Sequence, residues 1–359
     1  MKRFAIGSRL MMTLLTAALI VTIALPASAL AKYKLVLSHY SQTDPKTNGI
    51  AASALYFKTL LEARSNNEIE VKIFGNMALG NCVEYTRECV KGNTVQIAVL
   101  YSGAFSSFYP DYQVLNTPFL FENYRTAWSF FDSSYFANMM DDCREKTGLR
   151  FLTTFDDGGG FVAFTNNKRL IKTPEDIKGL RIRTEENPAH IAMIESLGAK
   201  AVPLSWGDVT TALASGVADG QFNAPYVNAY AKFWEVNDYS SYIGHVFNSG
   251  VWVASEKWMN KLPENLKEMV MTTAREAAAI SRGVDAQQSL LDWEKGKKHF
   301  KETYMPNAEV SAQWKSILRP AFLKWITKDF GMDEARVKEI WSEVDRQGET
   351  LDAQIIGKK

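Results

Sequence analysis

The sequence predicts a two-lobed α/β fold, and three observations predict it. Alternating strands and a helix open the chain after residue 32, three glycines at 158–160 separate this start from a second strand and helix set, and residues 264–303 contain little to stop one long helix. At ~1.5 Å per residue such a helix would reach about 60 Å, longer than one small domain, so it has to cross both lobes.

Taken in order, residues 33–37 (YKLVL) and 69–73 (IEVKI) alternate with period 2, and residues 50–64 between them read as a helix. Residues 82–91 form a helix ended by Gly92, and the near-continuous apolar run at 95–100 suits a strand covered on both faces, which gives the first lobe a largely parallel sheet. A helix over about 124–146 leads through Gly148 to a strand at 149–155, after which Asp156, Asp157 and the three glycines interrupt the periodicity as a hinge. The second set places strands near 161–165, 180–183, 199–202 and 217–222, with helices at 188–197, at 208–215 and through Trp234. Ser205 is placed to cap the middle one and Gly216 to end it. Residues 242–253 are apolar enough to return to a sheet. Pro263 precedes the long helix, which Gly283 and Gly296 weaken, and 312–347 is amphipathic, with Trp314, Leu318, Phe322, Trp325 and Ile326 at helical spacing despite Pro320. The expected division is a first lobe at 32–156 with a returning segment at 242–262, a second lobe at 157–241 joined by part of the C-terminal helices, the spanning helix at 264–303 and a C-terminal helical segment at 304–359, with a second crossover near 237–241.

The chain has 359 residues, 46% of them hydrophobic, enough for two cores, and 41 Lys+Arg against 40 Asp+Glu give no general attraction to nucleic acid. Lys2, Arg3 and Arg9 precede an uncharged run at 10–25, then Pro26 and Ala29-Leu30-Ala31, which reads as a signal peptide (1–31) cleaved before Lys32 and directs the protein to the periplasm. The run is short of the ~20 residues a membrane-spanning helix needs. Three cysteines, Cys82, Cys89 and Cys143, are too few for a disulfide scaffold and lack C-x-x-C spacing.

The usual enzyme signatures are missing: no G-x-S-x-G, H-E-x-x-H or G-x-G-x-x-G occurs, and the near phosphate loop at 75–81 has Asn81 and Cys82 where Lys and Ser/Thr are needed. His39, His190, His245 and His299 show no metal-ligand spacing. No cofactor and no metal is expected.

Five segments, VKIFGNMALGN (71–81), YPDYQVLNTPFLFEN (109–123), TPEDIKGLRIRT (173–184), ALASGVADGQFNAP (212–225) and SEKWMNKLPENLK (255–267), occur in an order and spacing that resembles the solute-binding proteins of tripartite ATP-independent periplasmic (TRAP) transporters. KGLRIRT followed about forty residues later by GVADGQFN is the most specific part. The resemblance implies a two-lobed periplasmic binding protein fold with a hinge and a long helix spanning both lobes. It also implies capture of a small organic acid, no catalysis, and delivery to a small and a large membrane permease subunit driven by an ion gradient. A monomer is expected.

By the same resemblance Arg183 forms a two-pronged salt bridge with the ligand's acid group, for which a planar guanidinium is suited. Asn223 supplies a polar contact to the same group, and Trp206 lays an aromatic ring against the ligand. Tyr40, Tyr101 and Ser102 follow strand ends, where open α/β sheets bind ligands. His39, Asn248 and Trp252 are further candidates, and Asp157 could accept an ammonium or hydroxyl. Many members of the family carry a second cation in the strand after the hinge. Here that place reads Gly160-Phe161-Val162-Ala163, with Val162 nearest, which favours a ligand with one carboxylate or sulfonate. Two other functions compete: a periplasmic lyase or hydrolase using Asp156 and Asp157 as an acid-base pair beside Arg183, and a ligand-sensing adaptor on the same fold.

Overall fold

The computed structural model describes residues 32–356, so the expected signal peptide lies outside the described residues. Eleven strands, β1 (Tyr33–Ser38), β2 (Ile69–Phe74), β3 (Ile97–Tyr101), β4 (Leu149–Phe161), β5 (Ala163–Asn166), β6 (Arg181–Thr184), β7 (Lys200–Pro203), β8 (Gly220–Asn223), β9 (Tyr239–Ser241), β10 (Phe247–Ser255) and β11 (Glu302–Tyr304), form two sheets among the described residues. One has the order β2-β1-β3-β10-β4, the other β11-β9-β5-β8-β6-β7.

In the first sheet β2, β1 and β3 are parallel, as the β-α-β start predicts, but β10 runs antiparallel to both β3 and β4. The expectation of a largely parallel sheet fails there because β10 arrives from the second sheet rather than through a crossover helix. One face carries Leu37, Phe57, Val99, Trp252 and the N-terminal part of the long helix. The other carries Tyr85, Phe105, Tyr112, Phe130 and Phe136. The second sheet packs Phe164, Ile182, Ile194, Phe222 and Trp314 on one face and the smaller cluster Val209, Leu213, Ala218 and Phe233 on the other.

The glycines expected to interrupt β4 lie inside it. Ser249 pairs with Asp156 and Phe247 with Phe161, so residues 157–160 leave the ladder as a bulge, and Gly158, Gly159 and Gly160 all have positive φ (62°, 101° and 78°). No other residue type takes three such angles in a row without strain. The chain changes sheet one residue past β4, at Val162, and returns between β9 and β10 over residues 242–246.

The long helix, Glu264–Gly296, is shorter than expected, and residues 302–304 form β11 instead, parallel to β9. Its 33 residues still reach about 50 Å. It packs against the helix Gly49–Arg64, β4 and the helix Pro225–Tyr230, so it touches both lobes. Asp132 and Ser133 divide the expected 124–146 helix into Tyr124–Phe131 and Ser134–Thr147, with Ser133 capping the second. Residues Ala308–Lys324 put Trp314 and Leu318 into the second lobe's core, and Val337, Ile340 and Val344 of Glu334–Ile356 belong to the first. All three cysteines are free and buried.

Candidate functional site

Arg183 stands near the C-terminal end of β6, flanked by Val202 of β7 and Gln221 of β8. Period 2 puts Arg181 and Arg183 on one side of the strand, yet they meet different surroundings. Arg181 forks onto Asp219 (Nη2 to Oδ1 2.7 Å, Nε to Oδ2 3.1 Å) and is partly exposed. Arg183 is 4% exposed and donates Nε and Nη2 to one acceptor, the Leu204 carbonyl, at 3.2 and 2.8 Å. Among the described residues its Nη1 makes no hydrogen bond and no carboxylate lies within ion-pair distance. Burial lowers its pKa, partly offset by Glu185 and Tyr101, but a guanidinium keeps its proton. A buried fixed charge with one carbonyl partner is a place where an incoming acid group gains a strong partner.

Across from it, the first lobe offers Tyr40 just beyond β1 and Tyr101 at the end of β3. Their rings meet edge to face, 5.4 Å between centroids. The Tyr40 hydroxyl donates to Asp157 Oδ1 at 2.5 Å, which fixes the carboxyl that the bulge in β4 presents. Burial pushes Asp157 up to about 7, opposed by the Tyr40 bond and assisted by the Glu185 charge. Tyr101 and Arg183 are near enough to shift each other's titration, so the two lobes' strand ends face one cleft.

Glu185, two residues beyond Arg183, was not singled out from the sequence. The signal was the period-2 series Arg181, Arg183, Glu185 running off the end of a strand. Its Oε1 lies 3.1 Å from His190 Nδ1 and accepts from Asn187 Nδ2 at 3.5 Å. Burial raises its pKa, but His190, Arg183 and Asn187 together outweigh this and hold the carboxylate below its ordinary range.

Asn223 ends β8 and donates to Gln221 Oε1 at 2.6 Å, while Gln221 donates to Thr165 and Asn228. This buried amide chain fixes its orientation. Trp206 is 39% exposed, beside the ring of Phe233, and its loop is tied down by the Arg183 bonds to Leu204. Ser205 donates to Asp208 Oδ2 and makes no capping bond to the backbone. Ser102 is buried and turned to Asn116 Oδ1 (3.0 Å), which also accepts from Asn187 of the second lobe at 3.4 Å. His39 is buried under Gly75, with burial lowering its pKa to about 4. Asn248 is 6% exposed, with Oδ1 unpartnered among the described residues. Trp252 is in the core, edge to face on Phe57, and is not part of this cluster. Asp156 faces away from Asp157: Trp128 Nε1 holds both its oxygens at 2.9 and 3.0 Å. The two carboxyls therefore do not form the acid-base pair that a lyase or hydrolase reading requires.

Residues 38–329 match the family described as bacterial extracellular solute-binding protein, family 7. The chain is 31% identical over 257 residues to the 2,3-diketo-L-gulonate-binding periplasmic protein YiaO of Escherichia coli (70% of this chain, 75% of that protein). It is 29% identical over 307 residues to the C4-dicarboxylate-binding periplasmic protein DctP of Vibrio cholerae (82% and 87%). Among solved structures, a TRAP periplasmic solute-binding protein from Ochrobactrum anthropi superposes with a TM-score of 0.79 at 26% identity, covering 91% of this chain and 99% of that one. Another, from Bordetella bronchispeptica with density assigned as pantoate, gives 0.76 at 28% identity, covering 86% and 98%. Two sheets joined by crossing strands, a helix touching both lobes and a family match spanning them lead to one conclusion: the chain belongs to family 7 of the bacterial extracellular solute-binding proteins and has the fold of the TRAP periplasmic members.

Proposed function

We propose that this chain captures a small organic solute carrying one acid group in the periplasm and hands it, unchanged, to the small and large membrane subunits of a TRAP permease. The observation that carries the reading is Arg183, buried at a strand end facing the other lobe, with Nη1 free of any hydrogen bond among the described residues. The relatives named above are described as binding carboxylates, a diketogulonate and C4-dicarboxylates, which supports an acid as ligand. Val162, fully buried where a second cation was sought, supports one acid group rather than two. We place the lobe boundary at the two sheet changes, Val162 and residues 242–246, and the ligand between the lobes.

Native mass spectrometry of the protein as purified, with identification of the released solute, tests the reading. An acid that is retained by the wild type, lost from Arg183→Ala and recovered chemically intact after prolonged incubation is expected. Conversion of the solute, or its retention by Arg183→Ala, contradicts it.

A further inference from the structure

The cleft that holds Arg183 also holds two carboxyls with unused oxygens. We propose that the site is built for a zwitterion: one acid group on Arg183 and one cationic nitrogen on the free oxygens of Glu185 and Asp157. The proposal rests on the solute-binding reading above and deepens it by naming the ligand's charge pattern.

Each carboxyl has one oxygen engaged and one free. Glu185 Oε1 is held by Asn187 and His190, and among the described residues Oε2 has no hydrogen-bond partner. Asp157 Oδ1 accepts from Tyr40, and Oδ2 has none. Neither forms an ion pair with a Lys or Arg among the described residues. They come from different lobes, Glu185 from the end of β6 and Asp157 from the bulge in β4, and yet the Glu185 charge is near enough to add to the rise of Asp157. Glu185 is turned toward the first lobe: a methyl group at Gly103 would lie 3.3 Å from its Oε1 and 3.3 Å from the Tyr101 ring. The glycine thus leaves the space beside the carboxylate open.

The independent observation is Arg183 itself, 96% buried by its 4% exposure and unpartnered at Nη1. A ligand with an acid group and nothing else satisfies the arginine but buries a second negative charge beside Glu185, which is costly in a closed, dry cleft. An ammonium or amidinium on the same ligand removes that cost and supplies N–H donors to oxygens that otherwise lose their water without replacement. Dianions meet the opposite arrangement, one cation and two carboxyls.

Titration calorimetry with two matched pairs provides the test: proline with cyclopentanecarboxylate and 4-aminobutyrate with pentanoate, with succinate as the dianion. In the wild type at least one nitrogen-bearing member is expected to bind tenfold or more tighter than its partner, and succinate more weakly than either. Glu185→Gln should weaken that member about tenfold and bring the pair within threefold, with Asp157→Asn as the second variant. If the plain acids bind as tightly as their partners and lose binding in Arg183→Ala, the zwitterion is overturned while the solute-binding reading stands. If no probe shows binding that depends on Arg183, the zwitterion is overturned, and the solute-binding reading is decided separately by the solute that mass spectrometry recovers from wild type and Arg183→Ala.

Discussion

Asp285 of the long helix accepts the backbone N–H of Gly49 at 3.1 Å, which sets a carboxyl at the first turn of the helix Gly49–Arg64. A helix N-terminus favours the charged form, but here burial wins and pushes Asp285 up to about 8, with Ser281 opposing and Asp156 and Asp157 adding to the rise. Asp156, similarly buried, is raised to about 7. The spanning helix is therefore fastened to the helix Gly49–Arg64 by a carboxyl that prefers to keep its proton.

Stability should consequently fall as pH rises from 6 to 8. A carboxyl with an ordinary value of 3.8 and a native value near 7 or 8 binds more protons in the native state across this interval. Its contribution is complete below about pH 4 and is lost as pH climbs through the native value, at up to ~1.4 kcal/mol per pH unit per group. Calorimetric melting of wild type and Asp285→Asn from pH 6 to 8 is the measurement. The wild-type Tm should drop by several degrees and the variant's by clearly less, since an amide still accepts from Gly49. Parallel curves would remove Asp285 from the account.

Glycine at 159 should be far less replaceable than glycine at 148. Gly159 has φ 101°, and a Cβ there would lie 2.7 Å from Ser289 Cβ and 3.0 Å from the Asp285 carbonyl. Gly148, at φ 73° in the ordinary helix-ending geometry, has open space around it. Gly148→Ala is expected to cost ~1–2 kcal/mol from its backbone alone. Gly159→Ala adds a clash with backbone on the spanning helix and should cost at least ~3 kcal/mol. Chemical denaturation that ranks them equally would show that the bulge yields without strain.

These glycines also show where sequence reading stops. Strand alternation in β1 and β2, the helix at 82–91 ended by Gly92 and the start of the long helix at 264 are local patterns, and they appear in the structure at nearly the expected residues, whereas the Ser205 cap and the last turns of the long helix do not. Whether three glycines break a strand or bulge out of it depends on β10, nearly ninety residues away, which no local pattern contains. The same holds for β11, whose three residues are a strand because β9 pairs with them. Arg183 was legible through its motif, whereas Glu185 acquires its surroundings from Gly103, Asn187 and His190, two of them drawn from other elements. Trp252 looked available for a ligand because a strand's two faces cannot be told apart when both are apolar.

Export should leave a mature chain beginning at or near Lys32, as the signal-peptide reading of residues 1–31 predicts. Intact-mass measurement of a periplasmic fraction checks this, and the full 359-residue chain recovered from membranes would contradict it.

Ligand should draw the lobes together about the sheet changes at Val162 and 242–246. Contacts between the lobes include Gln42 and Asn48 donating to the Tyr226 hydroxyl at 2.8 and 3.2 Å, polar bonds that water can replace when a ligand that touches both lobes shifts their relative position. Solution scattering should show a smaller radius of gyration with saturating ligand. Superimposable curves with and without it would mean that the lobes do not move.

Arg183 should dominate affinity while Arg181 governs stability. Deleting one member of a buried charge pair costs ~2–5 kcal/mol, largely because the ligand's acid group then loses its partner. At ~1.4 kcal/mol per tenfold, Arg183→Ala should weaken binding about 30-fold to a few thousand-fold. Arg183→Lys restores the charge but not the fork and should recover part of it. The alanine variant also frees the Leu204 carbonyl, so Trp206 loses the anchor of its loop, and a modest fall in Tm should accompany the loss of affinity. Arg181→Ala instead strips a side-chain partner from Asp219, which keeps the Arg181 backbone N–H at 2.9 Å, and should lower Tm with binding within about threefold of wild type. Calorimetric titration and melting curves on all three variants separate the effects. Wild-type affinity in a folded Arg183→Ala would mean that another group holds the acid.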